Sequence, residues 1–169
     1  MAEAMKGKDT DKYTLNKRLN ENHVFIQLIK YCAYQERCEL EVMEKLKKYN
    51  LTGRETKRII ERLKEENYLD NQRYAKIYTS GKLRNNKWGR IRIRYELKRK
   101  SIQDEYIIQA LSSIDEKEYA QMVIELIRKK KKSIQKEDPF IVRNKILQYL
   151  CVKGFESDLA RELIKEEIT

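Results

Sequence analysis

The sequence predicts an all-α fold of three tandem three-helix, helix-turn-helix-like repeats stacked into an elongated molecule. Three observations lead there. The chain of 169 residues holds only five glycines and one proline, and it is rich in Leu, Ile, Glu, Lys and Arg, which favour helix. It also repeats itself. Lys45-Leu46-Lys47-Lys48 returns about 50 residues later as Glu96-Leu97-Lys98-Arg99, with Val42 matching Ile93, Leu51 matching Ile102 and Ile60 matching Leu111, a period that marks one supersecondary unit reused. Finally, a weaker third copy places Ile146, Leu150, Phe155 and Ile164 at the positions of Ile93, Leu97, Ile102 and Leu111. A unit so small buries its apolar face only by stacking on its neighbours.

Residues 1–22 read as a flexible polar N-terminal arm. The first repeat, 23–71, opens where Val24, Phe25, Leu28, Ile29 and Cys32 follow the i, i+3, i+4 spacing of one helix face. A polar break at Gln35 to Arg37 follows, and Val42, Met43, Leu46 and Tyr49 mark a second helix. Thr52-Gly53-Arg54-Glu55 is a capping box, in which Thr52 accepts from the first turn and Glu55 reaches back. Ile59, Ile60 and Leu63 are the inner face of the helix it starts.

The second repeat, 72–117, opens at Tyr74-Ala75, with Tyr78 one turn on. Its middle helix is expected after Trp88-Gly89, although Arg90 to Leu97 alternates with the period of a strand. A lone strand among helices has no partner for its backbone, and the aligned stretch Glu39 to Leu46 does not alternate, so helix is the expectation. The third helix is expected from Asp104, with Ile107, Leu111 and Ile114 inward. The third repeat, 118–169, starts at Tyr119-Ala120 with Val123, Leu126 and Ile127 on one face. Asp138-Pro139 restarts a helix, with Asp at the N-cap and Pro in the first turn. Ile146, Leu147 and Leu150 continue it, Gly154 suits its C-terminal cap, and Asp158 to Ile168 forms the last helix around Leu159, Leu163 and Ile164.

Charge is unevenly spread. The formal net charge is +11, which calls for a polyanionic partner. From 82 to 100 the positives are Lys82, Arg84, Lys87, Arg90, Arg92, Arg94, Lys98, Arg99 and Lys100, against the single acid Glu96. Pairing of Glu96 with neighbours four residues away would still leave most of them uncompensated. Trp88 lies within this stretch, placed either to stack on a partner or to pack between repeats. The run Arg128 to Lys132 reads more simply as a solvated helix end favoured by the dipole.

Other classes find no support. No nucleotide-binding loop, zinc-protease motif or dinucleotide fingerprint is present, and His23 is the only histidine; an enzyme, a metal or a cofactor is not expected. No apolar run is long enough to span a membrane, and the polar start does not read as a secretory signal. Cys32, Cys38 and Cys151 are odd in number without close spacing, which fits a reducing cytoplasm.

Three stretches resemble the RecX family of RecA regulators. They are Arg37-Cys38, Glu41-Val42 and Lys45-Leu46; then Leu69-Asp70 with Arg73-Tyr74-Ala75; then Lys87-Trp88-Gly89, Ile93, Glu96-Leu97 and Lys100-Ser101-Ile102. Asn71 stands where the family usually has a second Asp, Tyr74 replaces Phe, Ser101 replaces Gly, Cys38 replaces Ser and Val42 replaces Leu. The resemblance covers about residues 25 to 166 and is strongest from Leu69 to Ile102. It implies a curved arrangement of the repeats. It also implies a monomer that binds along the groove of the RecA–DNA filament and inhibits recombinase, ATPase and coprotease activity, with consequences for DNA recombination, repair and the SOS response. On that reading Lys82, Arg84, Lys87, Trp88, Arg90, Arg92, Arg94, Lys98 and Arg99 form the filament contact. The competing reading is a sequence-nonspecific DNA- or RNA-binding protein that contacts single- or double-stranded DNA through phosphates alone.

Overall fold

The structure, a computed structural model, describes residues 21–134 and 138–168. The expected N-terminal arm lies almost wholly outside them. Every regular element among the described residues is a helix. The first, α1, runs over residues 21–34. It is followed by α2 (Glu39–Leu46), α3 (Gly53–Glu65), α4 (Asn71–Asn86), α5 (Arg90–Arg99), α6 (Asp104–Ser112), α7 (Glu116–Ser133), α8 (Pro139–Lys153) and α9 (Ser157–Glu167). Among the described residues no helix is long and apolar enough to cross a membrane. The chain divides into two compact units, one ending at Asn71 and the other Gln72–Thr169.

In the first unit Val24, Phe25, Leu28 and Cys32 of α1 meet Val42 and Leu46 of α2 and Ile59, Ile60 and Leu63 of α3 in one apolar core. Met43, expected to mark this helix with Val42 and Leu46, is instead on the solvent side. It is one residue past Val42, so it points about 100° away around the helix. The capping box forms as expected: the Glu55 backbone N–H donates to Thr52 Oγ1 at 3.4 Å, and the Thr52 N–H donates to Glu55 Oε2 at 2.7 Å. Asn71 is also a cap. Its Oδ1 accepts from the Glu39 N–H at 3.0 Å, at the start of α2. A neutral amide thus does what the family's usual carboxylate would do there, because both offer an acceptor oxygen to an orphan helix donor.

The second unit holds two three-helix groups, α4 to α6 and α7 to α9. In the latter all three helices pack on one another. Helix α5 resolves the alternation in its sequence. Ile93 and Leu97 are fully buried, whereas Ile91 and Tyr95 are 55% and 60% exposed. Spacing of four keeps the first pair on one side, and a step of two carries the second pair to the opposite side. The repeat register holds across the chain: Val42, Ile93 and Ile146 are buried, as are Leu46, Leu97 and Leu150, and Ile60, Leu111 and Ile164.

The two groups of this unit meet end to end. The Gly89 N–H donates to the Lys153 carbonyl at 2.9 Å, and the Ile91 N–H donates to the Gly154 carbonyl at 3.0 Å. The first turn of α5 thus takes its acceptors from the last turn of α8. Gly154 caps α8 at φ +86°, in the left-handed region. Both glycines are required by proximity, since a Cβ on Gly89 would overlap the Gly154 carbonyl and one on Gly154 would overlap the Arg92 backbone.

Candidate polyanion interface

The basic segment lies on α4, the turn after it and α5, and its members meet different fates. Arg90 is occupied within the fold. Its side chain is 21% exposed, it pairs with Glu116 at 2.6 Å and Glu156 at 3.5 Å, and its guanidinium lies 4.1 Å over the Tyr119 ring. The Arg90 backbone N–H donates to Tyr119 Oη at 3.1 Å, and that hydroxyl donates to Glu156 Oε2 at 2.7 Å. Burial, reinforced by the Glu156 hydrogen bond, pushes the Tyr119 phenol well above the usual tyrosine range, although the Arg90 amide and guanidinium oppose this. Arg90 therefore helps join α5 to α7 and α9.

Other members of the segment are partly neutralised at the surface. Lys98 reaches Asp104 at 3.2 Å, between largely exposed groups, and the exposed Arg99 reaches the more sheltered Glu96 at 3.6 Å. Such pairs are weak and keep their cations available. Arg84, Lys87 and Arg94 make no ion pair with any described residue. Arg84 and Lys87 line a cleft of about 370 Å³ between α4 and α7, beside Thr79, Ser80 and Glu118. Lys87 takes φ +53° in the turn before Trp88.

Trp88 is half-buried and lies between two cations. Arg92 Cζ is 4.1 Å from its ring centre and Lys82 Nζ 4.9 Å. The series continues: Lys82 is 5.2 Å from the Tyr78 ring, Tyr78 stacks on Tyr74 at 5.6 Å, and Lys100 is 5.8 Å from both. The face is an alternation of rings and cations. Each ring quadrupole holds a cation in place without neutralising it. Around Trp88, Lys82 and Arg92 are thus ordered while keeping their charge, which suits recognition of a polyanion.

Two features went unread in the sequence. The lysine run of α7 is divided. Arg128 makes a two-pronged contact with Glu167 at 2.7 and 2.8 Å, and Lys131 donates to the Glu167 carbonyl at 3.0 Å. Lys130 instead lies 5.4 Å from the Tyr149 ring, as does Lys153. Lys153 and Tyr149 carry no local signal that would have singled them out.

The comparisons with known proteins agree with this architecture. The family profile described as "RecX, second three-helix domain" matches residues 70–111, and "RecX, third three-helix domain" matches residues 116–164. The chain is 29% identical over 164 residues to proteins named "Regulatory protein RecX" from Bacillus cereus (strain AH820) and Bacillus anthracis (strain A0248). It is matched over 95% of its own length and spans 61% of theirs. The crystal structure of RecX from Lactobacillus salivarius superposes with a TM-score of 0.81 at 24% identity, covering 88% of this chain and 96% of that one. A second, titled "Crystal structure of regulatory protein RecX", gives 0.82 at 24% identity over 92% of this chain and 77% of its own. With both three-helix profiles matched in order over most of the second unit, the chain belongs to the RecX family.

Proposed function

We propose that this chain is a non-enzymatic regulator that binds the RecA–DNA filament in the cytoplasm and inhibits its recombinase, ATPase and coprotease activities. The observation that carries the reading is the basic segment of α4 and α5, where Lys82 and Arg92 are ordered on the Trp88 ring and Arg84, Lys87 and Arg94 make no ion pair with any described residue. Membership of a family whose relatives are named regulatory proteins supports the regulatory half. A filament of protein on DNA presents repeating negative charge, and a basic face on a repeat protein is complementary to it.

The test is RecA-catalysed ATP hydrolysis on single-stranded DNA, with and without this protein. Inhibition is expected at low ratios to RecA. Reversal of charge in Arg84→Glu, Lys87→Glu and Arg94→Glu together should raise the concentration for half-inhibition at least about tenfold, equivalent to roughly 1.4 kcal/mol of contact. The helical circular dichroism should be unchanged, because all three lie outside the core. Full inhibition by the triple variant would sink the assignment of this basic segment.

A second reading, sequence-nonspecific nucleic-acid binding without RecA, is favoured by the same interleaving of rings and cations. It predicts a steep loss of affinity with salt and no RecA-dependent effect.

A further inference from the structure

A repeat position that is filled in the second helical group is open in the third. By the repeat register, Arg143 of α8 stands where Arg90 stands in α5. Arg90 is met by carboxylates. Glu116, the first residue of α7, and Glu156, the N-cap of α9, reach its guanidinium, which also lies over the Tyr119 ring. Arg143 makes no ion pair with any described residue. It donates instead from Nε and Nη2 to the Ile168 carbonyl, at 3.2 and 2.8 Å. That contact fixes the guanidinium beside the end of α9 and leaves its charge without an acid.

Arg143 stands in the wall of a groove of about 240 Å³ between α8 and α9. Phe140, Arg143 and Leu147 line it from α8, at the i, i+3, i+7 spacing of one helix stripe. Arg161, Ile164 and Lys165 line it from α9. Ile164 is buried and Leu147 half-buried, so the groove has an aliphatic floor. The Phe140 ring is 70% exposed beside it. Arg161 and Lys165 are exposed and make no ion pair with any described residue. The lining thus holds three cations and, among the described residues, no acid. Acids nearby do not neutralise it. Asp138 caps α8, accepting from the Phe140 N–H at 2.8 Å. Asp158 and Glu162, three residues before Arg161 and Lys165, form no ion pair with them. The start of α8 and the end of α9 adjoin at Arg143, and their opposite half-charges cancel.

The joint between the second and third groups shows what covers such a surface: carboxylates, next to a bulky ring. An exact copy of that joint is closed here. Val142 stands at the repeat position of Gly89 and carries the side chain that Gly89 has no room for. The occupant is therefore a segment and not another helical group of this kind. The floor narrows its chemistry. Aliphatic side chains seat an apolar knob, whereas nucleic-acid bases stack on flat aromatic platforms. The guanidinium forks of Arg143 and Arg161 match carboxylates in a two-pronged way.

We infer that the α8–α9 groove is a docking site for an acidic segment of a partner protein. The segment seats a leucine-sized side chain on Leu147 and Ile164, against Phe140, and sets its carboxylates against Arg143, Arg161 and Lys165. The site needs only the third helical group, and it holds whether or not the chain acts on a filament.

The experiment uses the full chain and fluorescein-labelled peptides of about twelve residues, roughly three helical turns, followed by anisotropy. The probe is rich in glutamate with leucines four residues apart. One companion carries alanine for the leucines; another carries lysine for the glutamates. Both companions should bind at least about tenfold more weakly than the probe, one for want of the anchor and the other from reversed charge. Arg161→Glu with Lys165→Glu should weaken the probe at least about tenfold, and Phe140→Ala should weaken it at least about threefold. Lys129→Glu with Lys132→Glu makes the same change in net charge outside the groove and should stay within about twofold of the parent, because salt screens distant charges. Every substituted position is exposed, and circular dichroism checks each fold. Phe140→Ala carries the test if the charge-reversed groove pair loses structure. Equal losses in the two charge-reversed pairs would overturn the site, because net charge alone would then explain binding. So would a probe that wild-type protein does not bind, or an alanine companion that binds as well as the probe. Tighter binding of oligothymidylate than of the probe, lost in the same groove variants, would make the groove a nucleic-acid surface instead. RecA ATPase inhibition is scored separately: its absence in the wild type removes the filament reading and leaves the groove.

Discussion

Replacing Gly89 by alanine should loosen the second unit at the point where α5 meets α8. The added methyl would overlap the Gly154 carbonyl and the Phe155 amide, all of it backbone. A side chain could swing aside; two helix ends cannot without parting. Overpacking of this kind costs about 1–3 kcal/mol. Parting also breaks the hydrogen bonds from Gly89 to Lys153 and from Ile91 to Gly154, at about 1 kcal/mol each. The expected total is about 3–5 kcal/mol, read from urea melts followed by circular dichroism. Gly81→Ala is the internal comparison. Gly81 lies within α4, and a Cβ there meets nothing within 4 Å. Alanine should stabilise that helix by about 0.5–1 kcal/mol, the entropy that glycine loses on folding. The reasoning fails if Gly89→Ala melts within about 1 kcal/mol of the parent, well under the cost of the overlap alone plus one bond.

Two further changes probe the same unit. Ser101 takes φ +57° after the end of α5, where the family usually has glycine. Ser101→Gly should gain about 0.5–1 kcal/mol, because left-handed backbone costs a side chain about 1–2 and glycine returns part of that as chain entropy; a destabilised melt would contradict it. Tyr119 should be the last tyrosine to ionise, measured by phenolate absorbance in an alkaline titration. Its folded pKa is raised, so its contribution is whole below the unfolded value of about 10 and is lost as pH rises through the folded one. Tyr119→Phe removes the link between the Arg90 amide and Glu156 and should cost about 1–2 kcal/mol; ionisation of Tyr119 alongside the exposed tyrosines would show that the hydroxyl is not held as described.

Much of the fold was legible because helices advertise themselves locally. The start of α3 could be read from Thr52 and Glu55, the start of α8 from Asp138 and Pro139, and its end from Gly154. The strand-like alternation of α5 was outweighed by its repeat partner, and Ile93 with Leu97 proved the inner pair. The charged face was legible as a segment and not as a surface. Arg90 belongs to the same basic run as Arg94, yet its ion pairs reach Glu116 and Glu156, residues that no local pattern connects to it. The division of the α7 lysines has the same origin. Neighbours in sequence point in different directions around a helix, and what each one meets depends on helices far along the chain. The repeat register could have flagged Lys153, which aligns with Lys100, but repeat alignment reports buried positions more faithfully than surface partners.

Repetition in a sequence suggests interchangeable parts, units for evolution or an engineer to add, drop or shuffle. The pairing of Gly89 with Gly154 withholds that freedom from the last two. Gly89 has no room for a side chain because the backbone of the other group is there; Gly154 caps its own helix in the left-handed region and also faces the backbone of Arg92. A third unit grafted from elsewhere would need a glycine and a left-handed turn at the matching place, and a second unit would need bare backbone to receive it. Inheritance should therefore act on the two groups as one module.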